Sequence, residues 1–222
     1  MINTRLETGI PSVDRMLKGG IDTGSITEIY GEPGTGKTNF VLYLSITQAK
    51  KGLKTVYVDT EKVSPERIFK MTGGDKELAK RIIFYYPKSF LEQEDILRNI
   101  YNLVEFDKYI KIIVIDSFTE FYGLELNKLD MIASLSKQLG ILEEMAKNNN
   151  ISVVITSRVY YSFRDDRLKN VGGYYINPAI KTIIRLEKRD DYRIATIEKH
   201  KSISIGKSAS FIITDSGLKE VE

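Results

Sequence analysis

The sequence predicts an α/β fold, with a central, mostly parallel sheet flanked by helices and a C-terminal antiparallel β-meander. Three observations predict it. Short runs rich in Ile, Val and Tyr alternate with longer segments of helical periodicity. These runs are continuously apolar, as strands buried on both faces of a parallel sheet are. From Lys181 onward the helical segments stop and only strand-like runs remain.

In chain order, SITEIYG (25–31) is the first buried strand and KTNFVLYLSITQAKK (37–51) the helix after it. KTVYVDT (54–60) and RIIFYYP (81–87) have the length and β-branched content of strands. FLEQEDILRNIYNLVEF (90–106) sets Leu91, Ile96, Ile100, Leu103 and Val104 at helical intervals. KIIVIDS (111–117) and ISVVITS (151–157) are strands on either side of the longest helical segment, KLDMIASLSKQLGILEEMAKNN (128–149). KTIIRLEK, RIATIEKH and SASFIITDSG form the meander, with Asp190 and Asp191 at its first turn. No internal repeat or low-complexity linker divides the chain, so one domain over residues 1–222 is expected.

Composition excludes several function classes. There are no cysteines and one histidine, His200, which removes disulfides, thiolate metal sites and histidine metal clusters. No run approaches the roughly 18 apolar residues of a membrane span, and MINTRLETGI lacks the apolar core of a secretory signal. A cytoplasmic protein is expected. The formal net charge of +3 is too small to specify a nucleic-acid partner by itself.

GEPGTGKT (31–38) carries the chemistry. Gly31, Gly34 and Gly36 let successive N–H groups converge on one anion, with Glu32, Pro33 and Thr35 completing the loop. Lys37 is placed to reach the β- and γ-phosphates of ATP, and the Thr38 hydroxyl to ligate Mg2+. Asn39 continues into the helix, whose N-terminal dipole favours the same anion. Asp116 ends an unbroken apolar strand, where a carboxylate can hold the magnesium shell, most simply through water. Glu61, just past another strand, is the candidate base for activating water; as a lone loop carboxylate it would equally suit a solvated position.

Together, TGIPSVDRMLKGGIDTGSITEIYGEPGTGKT (8–38), VYVDTEKVSPERI (56–68), IIVIDS (112–117) and VVITSRV (153–159) resemble the RecA/RadA recombinase ATPase core. Within that superfamily the chain is most similar to the short archaeal RadA paralogues, with KaiC-type ATPases as near relatives. The resemblance implies that Glu61 is the catalytic glutamate, that Arg67 packs on the adenine and that Asp116 is the Walker B aspartate. It also implies that Lys199 and Lys201, in EKHKS, reach a neighbouring subunit's γ-phosphate. Strand alternation would put those two lysines on one face and His200 on the other.

The chain departs from the RadA pattern in three ways. Residues 1–7 are too few to hold an N-terminal helical DNA-binding domain or the linker that carries the polymerisation motif, so stable RadA-type filaments are not expected. Where RadA has an Asn-Gln pair, this chain has Ser157 and Arg158, and Arg cannot accept the hydrogen bond that a water-orienting Gln accepts. It could instead meet the γ-phosphate or a DNA phosphate. Third, RVYYSFRDDRLKNVGGYY (158–175) interleaves Tyr160, Tyr161, Phe163, Tyr174 and Tyr175 with Arg158, Arg164, Arg167 and Lys169. That mixture suits a sequence-tolerant single-strand groove and falls where the family has its second DNA loop. Asp165 and Asp166 offset part of the charge, and core packing is the competing use of the tyrosines. The first DNA loop, FTEFYGLELNK (118–128), is more acidic than basic.

The resemblance therefore implies an ATP-binding repair and recombination protein, nucleoid-associated, with single- or double-stranded DNA and a RadA-type recombinase as partners. Slow or DNA-insensitive hydrolysis and a possible homo-oligomer go with it. The alternative is a KaiC-like regulatory ATPase acting through protein contacts without DNA. A small-molecule kinase would need an arginine-bearing lid, which the residues after Asp116 do not offer. A pure adaptor without hydrolysis is at odds with the presence of Lys37, Thr38, Glu61 and Asp116 together.

Overall fold

The computed structural model describes residues 4–122, 128–162 and 166–221. Its elements begin with β1 (Arg5–Leu6), α1 (Pro11–Met16), β2 (Ile21–Asp22), β3 (Ser25–Tyr30), α2 (Lys37–Lys50) and β4 (Lys54–Asp59). Next come α3 (Pro65–Thr72), α4 (Lys76–Ala79), β5 (Ile82–Tyr85), α5 (Phe90–Phe106), β6 (Ile110–Asp116) and α6 (Lys128–Asn149). The remainder is β7 (Ser152–Ser157), β8 (Val159–Ser162), β9 (Arg167–Asn170), α7 (Gly173–Ile176), β10 (Thr182–Arg189), β11 (Tyr192–Lys199), β12 (Ser208–Thr214) and β13 (Gly217–Glu220).

Nine strands form one sheet in the order β13-β12-β11-β10-β3-β7-β6-β4-β5. The strands from β10 across to β5 run parallel, and the four from β10 to β13 pair antiparallel. The meander is thus part of the main sheet: β10 lies parallel to β3 with Ile184 opposite Ile29. It also has a fourth strand, β13, beyond the three that the sequence suggests.

The central strands are buried as expected, every residue of β3 and β7 being inaccessible or nearly so, whereas β5, at the sheet edge, is only half-buried beyond Ile82. One core cluster packs α1 and α2 on one sheet face through Val13, Phe40, Leu44 and Phe211. The other packs α5 and α6 on the opposite face through Phe90, Leu97, Leu135 and Leu142. Helix α5 starts at Ser89, whose hydroxyl accepts the Glu92 N–H while the Glu92 carboxylate accepts the Lys88 N–H. Among the described residues no helix is long and apolar enough to cross a membrane.

This order brings the carboxyl ends of β3, β4, β6 and β7 to one edge of the sheet, where α/β proteins hold ligands. Each strand hands a functional segment to that edge.

Candidate functional site

Between β3 and α2 the chain makes the expected phosphate loop. Gly36 has φ 95° and caps α2, and a Cβ there would lie 2.6 Å from Ile213 Cδ1. Gly31 lies against the meander: a Cβ on it would meet the Leu186 carbonyl oxygen at 2.3 Å. Thr35 is buried and donates to the Glu32 carbonyl at 2.8 Å, while Glu32, Pro33 and Gly34 form the exposed rim. The Lys37 ammonium turns back on the loop, donating to the Gly31 carbonyl at 2.9 Å and to that of Glu32 at 3.3 Å. Burial lowers its pKa, against the attraction of Glu61 and Asp116.

Asp116 is fully buried at the end of β6. One carboxylate oxygen accepts the Tyr57 hydroxyl at 2.7 Å and the other the Thr156 hydroxyl at 2.5 Å. Burial and the Asp116 charge push the Tyr57 phenol well up, which keeps it a donor. The Asp59 carboxylate at the end of β4 accepts the N–H groups of Glu61 (3.1 Å), Lys62 (2.7 Å) and Val63 (2.8 Å). This Asx-type turn holds the backbone of Glu61. Burial, then the nearby Asp116, raise the pKa of Glu61, while Lys37 opposes them.

Two adjoining clefts flank these groups. One, of about 520 Å³, runs from Thr38, Asn39 and Glu61 to Arg67, Thr214 and Asp215. The other, of about 940 Å³, lies between Gly34, Lys37 and Glu61 on one side and Arg158, Arg193 and Ile213 on the other. Arg67 donates to Asn39 Oδ1 at 2.7 Å and to the Asp215 carbonyl at 3.3 Å. Among the described residues Arg67 Nη2 and Arg193 Nε are buried with no hydrogen-bond partner. The two arginines line the clefts, and their cationic side chains fit an anionic nucleotide. Thr38 and Asp116 supply only oxygen donors, which fit magnesium. Because hydroxyls already bond both Asp116 oxygens, that residue would hold the ion through water.

The lysines at the end of β11 depart from expectation. The strand stops at Lys199, and a turn in which the Ser202 N–H donates to His200 Nδ1 ends the alternation. Lys199 donates to the Asn177 carbonyl at 2.7 Å, whereas Lys201 lies 3.3 Å from Asp22 Oδ2 in β2. Their expected shared face is therefore corrected. His200 turns inward, 3.6 Å from the same Asp22 oxygen.

The proposed second DNA loop is a β-hairpin in which Tyr160 opposes Lys169 and Ser162 opposes Arg167. Tyr160 and Lys169 thus share one face, and Tyr161 lies on the other with its hydroxyl bonded to Asp166. Phe163 and Arg164 lie outside the described residues, as do residues 123–127 of the first loop. Arg158 precedes the hairpin, lines the nucleotide cleft and pairs with Glu120 at 3.2 Å.

Sequence reasoning missed Asp59, Arg193 and the wall from Ile213 to Asp215. Asp59 had a local signal, an Asp closing a strand two residues before the candidate base. Arg193 had none, because only the sheet order brings it to the phosphate loop. Asp59→Ala should lower ATP turnover about 10- to 100-fold by releasing Glu61, with ATP affinity nearly unchanged in a fluorescent-nucleotide titration. Unchanged turnover would show that the turn does not position the base.

Known proteins match this chain along its length. Residues 2–221 match the Rad51 family profile. The DNA repair and recombination protein RadB of Thermoplasma acidophilum is 38% identical over 217 residues, covering 96% of this chain and 93% of that protein. The protein of the same name from Methanobrevibacter smithii is 39% identical over 215 residues, covering 93% and 92%. A crystal structure of the RadB recombinase superposes with a TM-score of 0.83 at 35% identity, covering 98% of this chain and 100% of that one. The chain belongs to the Rad51 family of RecA-like recombinases, in its RadB group.

Proposed function

We propose that the chain is an ATP-binding protein of DNA repair and homologous recombination. It binds DNA through the β8–β9 hairpin and assists or regulates a RadA-type recombinase, hydrolysing ATP slowly. The observation that carries this reading is the nucleotide cleft: Lys37, Thr38 and Glu61 line it, with the buried Asp116 close enough to act on both Lys37 and Glu61, in a chain that matches a RadB protein over 96% of its length. The KaiC-like alternative is not favoured, because the relatives carry recombination names.

The residues divide the work. The phosphate-loop N–H groups and Lys37 hold the phosphates, and Arg67 and Asn39 face the cleft toward the nucleoside end. Glu61 accepts a proton from the attacking water, its backbone fixed by Asp59. Thr38 and, through water, Asp116 would hold magnesium, which would supply neutralisation of the phosphate charge. Arg158, beside Glu61 and Lys37, adds a cation at the reacting end of the cleft. Lys199, held on the Asn177 carbonyl, would have to leave it to reach a neighbouring subunit.

Steady-state ATP hydrolysis with and without single-stranded DNA, beside fluorescence-anisotropy DNA titrations, tests this reading. Slow turnover with measurable DNA binding is expected. ATP-dependent hexamers without DNA affinity would overturn it in favour of the regulatory ATPase.

A further inference from the structure

Of the buried carboxylates that the nucleotide chemistry leaves unused, Glu28 is the least accessible. Glu28 sits in β3, three residues before Gly31, with none of its surface exposed. A strand flanked by β7 and β10 is an unfavourable place for a charge, and burial pushes the Glu28 carboxyl up. Hydrogen bonding from Asn170 opposes that shift.

Its partners lie in the hairpin and the segment after it. Asn170 Nδ2, at the end of β9, is 2.8 Å from each Glu28 oxygen and 3.0 Å from Asn177 Oδ1. The Asn177 carbonyl in turn accepts the Lys199 ammonium at 2.7 Å. Gly173 makes room for this arrangement, since a Cβ there would lie 2.2 Å from Asn170 Oδ1. Tyr30, next to Gly31 and on the same strand face as Glu28, borders a cleft shared with Tyr160, Asn170 and Asn177. The outgoing end of the hairpin has its own anchor, the Arg158 N–H on the Thr119 hydroxyl at 3.0 Å. The strand that delivers the phosphate loop therefore grips the returning strand of the hairpin directly.

We propose that Glu28 is a positioning residue that couples the phosphate loop to the β8–β9 hairpin through Asn170 and Asn177. Nucleotide held by the loop fixes the end of β3, and the Glu28–Asn170 contact passes that order to the hairpin. The contact is side chain to side chain, so it can be removed without touching either ligand surface.

Glu28→Gln tests this in the full-length chain. The amide matches the carboxylate in shape, but one of the two oxygens that face Asn170 Nδ2 becomes an NH2 that cannot accept. Hydrogen–deuterium exchange of residues 159–170 is followed with and without a non-hydrolysable ATP analogue and Mg2+. The wild type should exchange more slowly with nucleotide, and its affinity for single-stranded DNA should rise about fivefold or more. In Glu28→Gln both responses should be lost, while affinity for the analogue stays close to wild type. Asn170→Ser cuts the same contact from the other side and carries the test if the first variant melts early.

A purely structural role would shift thermal unfolding but leave the nucleotide-dependent difference intact. That result overturns the proposal, as does a wild-type hairpin indifferent to nucleotide. Only the DNA readout depends on the function proposed above. Absent DNA binding with the exchange response intact would remove that function and leave the coupling standing. DNA binding that keeps its nucleotide response in both variants would do the reverse.

Discussion

Glu61→Gln should reduce ATP turnover by about 10²- to 10⁴-fold, the usual contribution of a positioned general base, while ATP binding stays near wild type. The neighbouring carboxylates cannot readily replace it. Asp59 is committed to three backbone N–H groups and Asp116 to two hydroxyls. The pH dependence carries a second signature. Glu61 must be ionised to accept a proton, and burial and Asp116 raise its pKa. Turnover should therefore fall on acidification at a pH above the ordinary glutamate range. Phosphate release measured across pH for both proteins is the check, and equal turnover in the variant would remove Glu61 from the chemistry.

Phe211→Ala should be a severely damaging core change. The ring is fully buried in β12 and meets Phe40 of α2 edge-on, with centroids 5.9 Å apart and planes at 62°. Deleting a buried aromatic costs about 3–5 kcal/mol. In a chain of this length that lowers Tm by roughly 6–20 °C. Two residues on and on the same strand face, Ile213 packs against Gly36 of the phosphate loop. ATP affinity should fall with stability, and Phe211→Leu should recover most of both. A calorimetric scan and a nucleotide titration decide it, and a Tm within 2 °C of wild type would mean the meander is not coupled to α2.

Much of this was legible in the sequence because it depends on local rules. The buried parallel strands announce themselves as runs such as IIVI and VVIT, and α5 by its spacing. The phosphate loop follows from glycines that only one backbone shape requires. What escaped depends on neighbours distant in sequence. Helix α1 has six residues and β1 and β2 two each, too few for periodicity to show. Helix α3 is only eight residues long, and its local marks are Pro65 in the first turn and a left-handed Gly73 at the end. The split of Lys199 from Lys201 came from a strand that ends one residue earlier than its apolar pattern suggests. Arg193 joins the cleft only because β10 inserts beside β3 and carries β11 and β12 with it.

That insertion has a consequence for the chain as it is being made. The phosphate loop leaves the ribosome early, yet its walls are Leu186, Ile213 and Asp215. At about 5–20 residues per second, the interval between making the loop and making its wall is on the order of ten seconds or longer. Throughout it the nascent loop lacks the meander residues that pack against it, and cellular ATP has no finished cleft to enter. Nucleotide can therefore stabilise only chains that have been translated past the meander. A product truncated before Phe211 would gain nothing from ATP in a proteolysis assay, however complete its phosphate loop.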